Sequence, residues 1–315
     1  MIRSDIAFLF PGQGSQSVGM LLELAQAYPQ VQDTFAQASE ILDLDLWHLV
    51  TEGPSDILNQ TVNTQPAMLA AGVATWRVWR DKTALLPGWL AGHSLGEYTA
   101  LVCAGSMRFE DAVKVVAERG HLMQTAVAPG DGAMAAVLGL QDSQVIEVCQ
   151  QISTPDSMVE AANFNAPGQV VIAGHARAVQ KACDLAKELG ARRAVLLPVS
   201  IPSHCALMKP AAEKFKSVLG TVSIDAPKIP IVHNVDIRSH TSPEVIRSLL
   251  VEQMYSPVRW SDGIRFMRDQ GVATFVECGP GKVLAGLNKR IVKDRQVLPV
   301  YDPGSLDKAL EELNG

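Results

Sequence analysis

The sequence predicts an α/β protein: a parallel sheet with helices on its faces, interrupted by a smaller unit of its own. Three observations carry this. Continuous apolar runs such as Ile6 to Phe10, the pattern of strands buried on both faces, alternate with segments of helical period. At 315 residues the chain exceeds the length at which one core stops growing, so two unequal domains are expected. Between residues 129 and 200 the order changes to a self-contained β-α-β-β-α-β, the succession of a ferredoxin-like unit. Residues 1–128 and 201–315 are therefore expected to form one discontinuous α/β domain, with residues 129–200 as an inserted subdomain.

The elements follow in order. Asp5 to Phe10 is the first strand, and Pro11-Gly12-Gln13-Gly14-Ser15-Gln16 breaks it. Helical patterning begins at Gly19, resumes over Val31 to Leu42 and again over Pro66 to Trp79. Gly88 to Ala91 is a short apolar strand after Pro87, and Glu97 to Ala104 is a helix closed by Gly105. Another helix spans Phe109 to Thr125, and Pro129-Gly130-Asp131-Gly132 is a linker. In the insert, Met134 to Leu138 is a strand and Asp142 to Ile152 a helix. Val159 to Asn163 and Gln169 to Ala173 are strands joined by an Asn-Ala-Pro-Gly turn. Ala176 to Leu189 is a helix and Arg193 to Leu197 the final strand of the unit. After Cys205 come a helix to Leu219, a strand from Ile231 to Val235, and helices Pro243 to Met254 and Ser261 to Gln270. Thr274 to Cys278 is a strand, and a last helix is expected after Gly281.

Composition excludes several classes. Hydrophobic residues make up 47% of the chain and the formal net charge is −6, which gives no overall attraction to nucleic acid or anionic membrane. The five cysteines (Cys103, Cys149, Cys183, Cys205 and Cys278) are odd in number, widely spaced and form no Cys-x-x-Cys pair. They read as reduced thiols of a cytosolic protein. Arg3 and Asp5 flank an apolar stretch of only Ile6 to Phe10, too short for a signal peptide, and no run approaches a membrane span. The expected location is the cytoplasm.

Gly92-His93-Ser94-Leu95-Gly96 lies between the short strand and its helix, the context of a Gly-x-Ser-x-Gly nucleophile elbow. The glycines relieve crowding at a strained turn, and Ser94 is held out at its tip. The Leu95 N–H faces the same space at a helix N-terminus, where an oxyanion would sit. This placement makes the large domain α/β-hydrolase-like in expectation. Composition alone produces the five-residue pattern in about one chain of ten of this length, so the strand–turn–helix context is what separates it from chance.

A serine nucleophile needs a base within hydrogen-bond reach. Seven histidines compete: His48, His93, His121, His175, His204, His233 and His240. His93 adjoins the serine but on an elbow points away from its hydroxyl. His204 falls on the return from the insert to the large domain, where clefts form. The residues between Ser94 and His204 offer no obvious triad acid, which favours a dyad with His204 oriented by a carbonyl or amide. Gly12-Gln13-Gly14 after a strand lacks the third glycine of a dinucleotide fingerprint, since Ser17 stands there. It does offer the side-chain amide of Gln13 at the carboxyl edge of the first strand, where ligands of open α/β sheets collect; a solvated turn residue is the alternative. Arg119 is either a solvated cation at a helix C-terminus or a bidentate receptor for a substrate carboxylate. Neither His-Glu-x-x-His nor paired thiols occur, so no metal is expected.

Together these residues resemble the family of malonyl-CoA:acyl carrier protein transacylases of bacterial fatty-acid synthesis and the related acyltransferase domains of polyketide synthases. The resemblance covers essentially the whole chain, through Phe10-Pro11-Gly12-Gln13-Gly14-Ser15-Gln16, Thr64-Gln65-Pro66-Ala67, Gly92-His93-Ser94-Leu95-Gly96-Glu97-Tyr98, Arg119-Gly120, Asn165-Ala166-Pro167-Gly168-Gln169, Pro202-Ser203-His204, His233-Asn234-Val235 and Glu277-Cys278-Gly279-Pro280-Gly281. It implies Ser94 as the acylated nucleophile, His204 as its base, Gln13 and the Leu95 N–H as oxyanion donors, and Arg119 as the holder of the malonyl carboxylate. Gln253 matches the residue whose backbone carbonyl orients the histidine, and His93 and Asn234 match positions that line the pocket. The implied reaction is ping-pong transfer from malonyl-CoA to the phosphopantetheine thiol of acyl carrier protein, with no bound cofactor. Ser203 stands where modular acyltransferases carry serine for branched extenders, yet within the Pro-Ser-His-Cys pattern of the stand-alone malonyl enzymes, so the expected selectivity rests on Arg119. Carrier proteins are acidic, which makes Lys187, Arg192 and Arg193 candidate contacts. A monomer is expected. Two other classes stay open: a serine thioesterase or esterase, in which water competes with the thiol, and a non-catalytic acyl-binding module, which would tolerate loss of Ser94.

Overall fold

The computed structural model describes residues 2–199 and 201–314; Met1, Ser200 and Gly315, which bound the expected domains, lie outside the described residues. The chain opens with β1 (Ile2–Phe10), then α1 (Leu22–Ala27), α2 (Gln30–Leu42), α3 (Leu46–Glu52), α4 (Ser55–Leu58) and the long α5 (Thr61–Lys82). β2 (Leu86–Gly92) leads to α6 (Gly96–Cys103) and α7 (Phe109–Gln124). The middle of the chain holds β3 (Gly132–Leu138), α8 (Asp142–Ile152), β4 (Val159–Ala166), β5 (Gln169–His175), α9 (Ala176–Glu188) and β6 (Arg193–Leu196). A 3₁₀ turn at Ala206–Met208 precedes α10 (Lys209–Gly220), β7 (Ile231–Val232), α11 (Pro243–Glu252), α12 (Trp260–Asp269) and β8 (Thr274–Cys278). α13 (Val283–Ile291), β9 (Gln296–Val300) and α14 (Pro303–Asn314) follow.

Two sheets result. The first is five-stranded in the order β7-β2-β1-β8-β9, with every neighbouring pair parallel. The second is four-stranded in the order β4-β5-β3-β6, with every pair antiparallel. The central strand explains the continuous apolar run. Ile6, Phe8 and Phe10 point into one core and Ala7 and Leu9 into another, so both faces of β1 are buried. On the first face Phe8 meets the edges of Trp76 and Trp79 of α5, with ring centroids 5.5 and 4.9 Å apart. On the second face lie Trp260 and Ile264 of α12 and Leu284 and Leu287 of α13. The antiparallel sheet packs α8 and α9 over a core of its own.

Several expectations are corrected. α5 begins at Thr61, not at Pro66. Pro66 stands near the start of the helix, where the bond it cannot make is the one to the Val62 carbonyl, and Thr64 reinforces the first turn by donating its hydroxyl to the Leu58 and Gln60 carbonyls. The helix after Gly281 is not the last element, because β9 and α14 follow it. β9 tolerates Pro299 because it is an edge strand that pairs only with β8. The strand expected over Ile231 to Val235 is reduced to Ile231–Val232, since His233 and Asn234 turn into buried side-chain contacts.

The register places the site. Phe10 pairs with Gly92 and Leu9 with Glu277, so the loops after β1, β2 and β8 leave the sheet along one edge. The antiparallel sheet is tied to this edge by main-chain bonds from Phe164 N–H to Val258 O and from Val258 N–H to Ala162 O, both 2.9 Å. A cleft of about 490 Å³ opens between the two.

Candidate active site

At the tip of the turn from β2 to α6, Ser94 holds φ at +52°, the left-handed region that costs a non-glycine residue energy. The turn closes because the flanking residues lack side chains. A Cβ on Gly92 would stand 1.8 Å from the Gly96 carbonyl carbon, and one on Gly96 would stand 2.0 Å from the Phe10 oxygen. Asn234 fastens the turn from behind. Its Oδ1 accepts the Ser94 N–H at 2.8 Å and its Nδ2 donates to Gly92 O at 2.7 Å.

His204 also sits at positive φ, +63°, and its ring faces Ser94 across the cleft. Its Nδ1 lies 2.8 Å from the Gln253 carbonyl oxygen and its Nε2 lies 2.8 Å from Ser94 Oγ. A carbonyl only accepts, so Nδ1 carries the proton and Nε2 presents its lone pair to the serine hydroxyl. That is the tautomer a general base requires. Burial first, and the Arg119 charge second, push the imidazole down to about 3. The ring is neutral at neutral pH.

Arg119 lies inside α7 on its buried face, not at a solvated helix end, and is 1% exposed. Its Nη1 donates to Gln65 Oε1 at 2.8 Å, and its Nη2 to Gln253 Oε1 at 2.9 Å and to Ser94 Oγ at 3.1 Å. The Tyr98 ring lies 5.3 Å from the guanidinium carbon. Its Nε has no partner, and among the described residues no carboxylate comes within ion-pair distance. It is a buried cation with only neutral hydrogen-bond partners, one of them the hydroxyl of Ser94, an arrangement that leaves its charge uncompensated.

The remaining expected residues divide. Leu95 and Gln13 line the cleft beside Ser94, and among the described residues neither backbone N–H donates to a protein acceptor. The side-chain amide of Gln13 lies 3.2 Å from Thr61 Oγ1. Gly12 allows that loop to rest on the elbow, because a Cβ there would lie 2.3 Å from His93 O. His93 lines the cleft, with its Nε2 2.8 Å from Asn165 Oδ1. Asn234 and Gln253 do not line the cleft, contrary to the pocket-lining expectation for Asn234. Both Asn234 amide atoms are spent on the elbow, and Gln253 reaches the chemistry through His204 and Arg119. Cys205 is fully buried, its thiol donates to Pro202 O, and burial pushes it up to about 12, so it is no rival nucleophile. Lys187, Arg192 and Arg193 are exposed, Lys187 beside Asp184 at 3.4 Å.

Gln65, Asn165 and Glu97 stand within the motifs that carry the resemblance, but the sequence assigns them no role. Gln65 lies in the first turns of α5 and Asn165 at the end of β4, where their polar side chains carry no local sign of what they meet. Glu97 did leave a signal: it is the lone charge on the apolar helix Gly96–Cys103. Among the described residues, no cluster of three His, Cys, Asp or Glu side chains is arranged to hold a metal ion, and no helix is long and apolar enough to cross a membrane.

A parallel sheet carrying a serine elbow, a neutral histidine on its hydroxyl and a buried cation beside both defines an acyl-transferring enzyme, and the chain belongs to the acyl transferase domain family, which matches residues 7–311. It is 51% identical over 309 residues to the malonyl CoA-acyl carrier protein transacylase of Salmonella typhimurium, covering 98% of this chain and 100% of that protein. The structure of the corresponding Coxiella burnetii enzyme superposes with a TM-score of 0.97 at 46% identity, covering 99% of this chain and 98% of that one. A third relative, a malonyl-transacylase solved in complex with a type II polyketide acyl-carrier protein, superposes with a TM-score of 0.96 at 51% identity, covering 98% and 99%.

Proposed function

We propose that this protein transfers a malonyl group from malonyl-CoA to the phosphopantetheine thiol of acyl carrier protein through an ester on Ser94. His204 Nε2 takes the Ser94 proton as Oγ attacks the thioester carbonyl. The tetrahedral oxyanion is met by the main-chain N–H groups of Leu95 and Gln13. The carbon–sulfur bond then breaks and the departing CoA sulfur takes the proton from His204. The carrier thiol repeats these steps in reverse: it gives its proton to His204, attacks the ester, and returns Ser94 to its hydroxyl form. Malonyl-CoA and the carrier are both substrates, and no resident cofactor enters the chemistry. We read the β1-to-α7 region with the segment after residue 200 as an α/β-hydrolase-like domain, residues 129–200 as its ferredoxin-like insert, and the protein as a cytoplasmic monomer. The aligned strand ends and the separate antiparallel sheet support the first two readings.

The observation that carries the malonyl assignment is the buried Arg119 guanidinium with no anionic partner, in hydrogen-bond contact with the nucleophile. A charged hydrogen bond contributes about 1.5–3 kcal/mol. Arg119→Ala should therefore lose roughly tenfold to a hundredfold in malonyl kcat/KM, while acetyl transfer stays level or improves because the cavity no longer holds an unpaired cation. Steady-state kinetics with the two thioesters check this, and equal losses would make Arg119 structural.

A thioesterase would form the same ester, so the fate of the ester separates the two. A carboxylate fixed on Arg119 holds the acyl group against the wall beside Ser94 and leaves little room for an activated water. Preformed acyl-enzyme should persist without acceptor and discharge rapidly to a pantetheine thiol. Free malonate appearing as fast as malonyl-carrier would favour the hydrolase.

A further inference from the structure

The dyad lacks the carboxylate that completes most serine–histidine sites, yet a buried carboxylate stands one helical turn from the nucleophile on its hidden side. Glu97 is 1% exposed and does not line the cleft. Its Oε1 accepts from His233 Nδ1 at 2.7 Å. Its Oε2 accepts from the Asn234 main-chain N–H at 3.1 Å and from Gln253 Nε2 at 2.9 Å. An acceptor-only set of contacts is what a carboxylate makes. Each partner it holds has a second task. Asn234 brackets the elbow through Ser94 N–H and Gly92 O. Gln253 receives the His204 Nδ1 proton on its main-chain oxygen, accepts from Arg119 on Oε1, and donates from Nε2 to Ser94 O at 3.1 Å as well as to Glu97.

We propose that Glu97 is the positioning carboxylate of this site, the counterpart of a triad acid acting through Gln253 and Asn234 instead of touching the histidine. Through Gln253 it fixes the acceptor that selects the His204 tautomer, and through Asn234 it fixes the elbow that aims Ser94. It also places a negative charge behind a site that holds the Arg119 cation and gains an imidazolium in the transition state. The inference rests on the acyl-serine reading above and assigns that site its missing acid.

Glu97→Gln is the informative variant because it preserves shape. If the new amide oxygen keeps the two donors now on Oε2, its NH₂ faces His233 Nδ1, and His233 must move its proton to Nε2. That nitrogen is buried without a partner, so the substitution loses both the charge and a satisfied imidazole. The test is quench-flow acylation of the intact protein by malonyl-CoA, followed by intact mass, with thermal unfolding in parallel. The expected result is a maximal acylation rate lower by about 10- to 100-fold, the scale of lost hydrogen bonds to a charged group, at an unchanged half-saturating malonyl-CoA concentration. A wild-type maximal rate overturns the proposal. So does a loss confined to the half-saturating concentration, because Glu97 would then shape the pocket. Should Glu97→Gln fail to fold, Glu97→Asp keeps the charge and shortens its reach by one methylene. The same loss of maximal rate is expected, and a wild-type rate again overturns the proposal. Failure of the underlying reading looks different: Ser94→Ala would then still take up malonyl.

Discussion

Ser94→Ala should take up no malonyl group from malonyl-CoA, whereas the wild-type protein gains one and loses it to a pantetheine thiol. Turnover should fall on the order of 10⁶-fold, the scale seen when a serine nucleophile is removed from a working site. The fold should survive. Alanine carries the same Cβ into the +52° conformation, the glycines that close the elbow are untouched, and Asn234 still holds the main chain of residue 94. What disappears is the oxygen that His204 Nε2 and Arg119 Nη2 share at 2.8 and 3.1 Å. The thiol beside the base cannot substitute. Cys205, the nearest thiol in sequence to the base, is fully buried and donates to a backbone carbonyl, and burial holds it at about 12. Intact mass spectrometry of the two proteins decides the matter. An adduct that survives in Ser94→Ala, or one that maps to Cys205, would sink the assignment.

What the sequence made legible follows from physics that is local. The elbow could be read because its glycines and serine answer to a steric demand within five residues, and β1 because both of its faces are buried. Arg119 was ambiguous for the same reason. Whether a guanidinium near a helix end is solvated or buried depends on Gln65 and Gln253, which are 54 and 134 residues away in sequence. The short helices Leu46–Glu52 and Ser55–Leu58 carry too few turns for a periodic signal. Gln296–Val300 was hidden by Pro299, whose tolerance depends on the strand lying at an edge, and edge placement is a property of the whole sheet. Glu97 is the most instructive omission. Glu97 does fall between Ser94 and His204, in the order familiar from hydrolases. It sits only three residues after the serine, however, in the elbow helix itself, and touches His233, Asn234 and Gln253 instead of the catalytic histidine. It gains its partners only when β7 and the end of α11 fold against α6.

His204→Ala should slow acylation of Ser94 by roughly 10²–10⁴-fold, the usual contribution of a positioned base, or about 2.7–5.5 kcal/mol of transition-state stabilisation. The variant keeps Ser94, Arg119 and the Leu95 and Gln13 main chain proposed to meet the oxyanion, so a residual rate should remain above background, and it should rise with pH as hydroxide takes over deprotonation. The wild-type profile should look different because the imidazole is held down, to about 3 from an ordinary 6.5, first by burial and then by the Arg119 charge. The neutral ring is the active form, and a lowered value extends its range toward acid. The acid limb of kcat/KM, which reports the free enzyme, should therefore lie well below 6.5, with no loss of acylation between pH 8 and 6.5. Stability carries the same sign. Above 6.5 the ring is neutral in folded and unfolded chains alike; below it the unfolded chain takes up a proton that the folded site refuses, so this residue destabilises the fold as pH falls from 6.5 toward 3. Arg119→Ala removes the second-largest of the lowering causes and should move the acid limb upward, toward the ordinary histidine range. An acid limb near 6.5 in the wild type, unmoved in Arg119→Ala, would mean that the base is solvated in the working enzyme and that the buried contact to Ser94 Oγ is not the catalytic one.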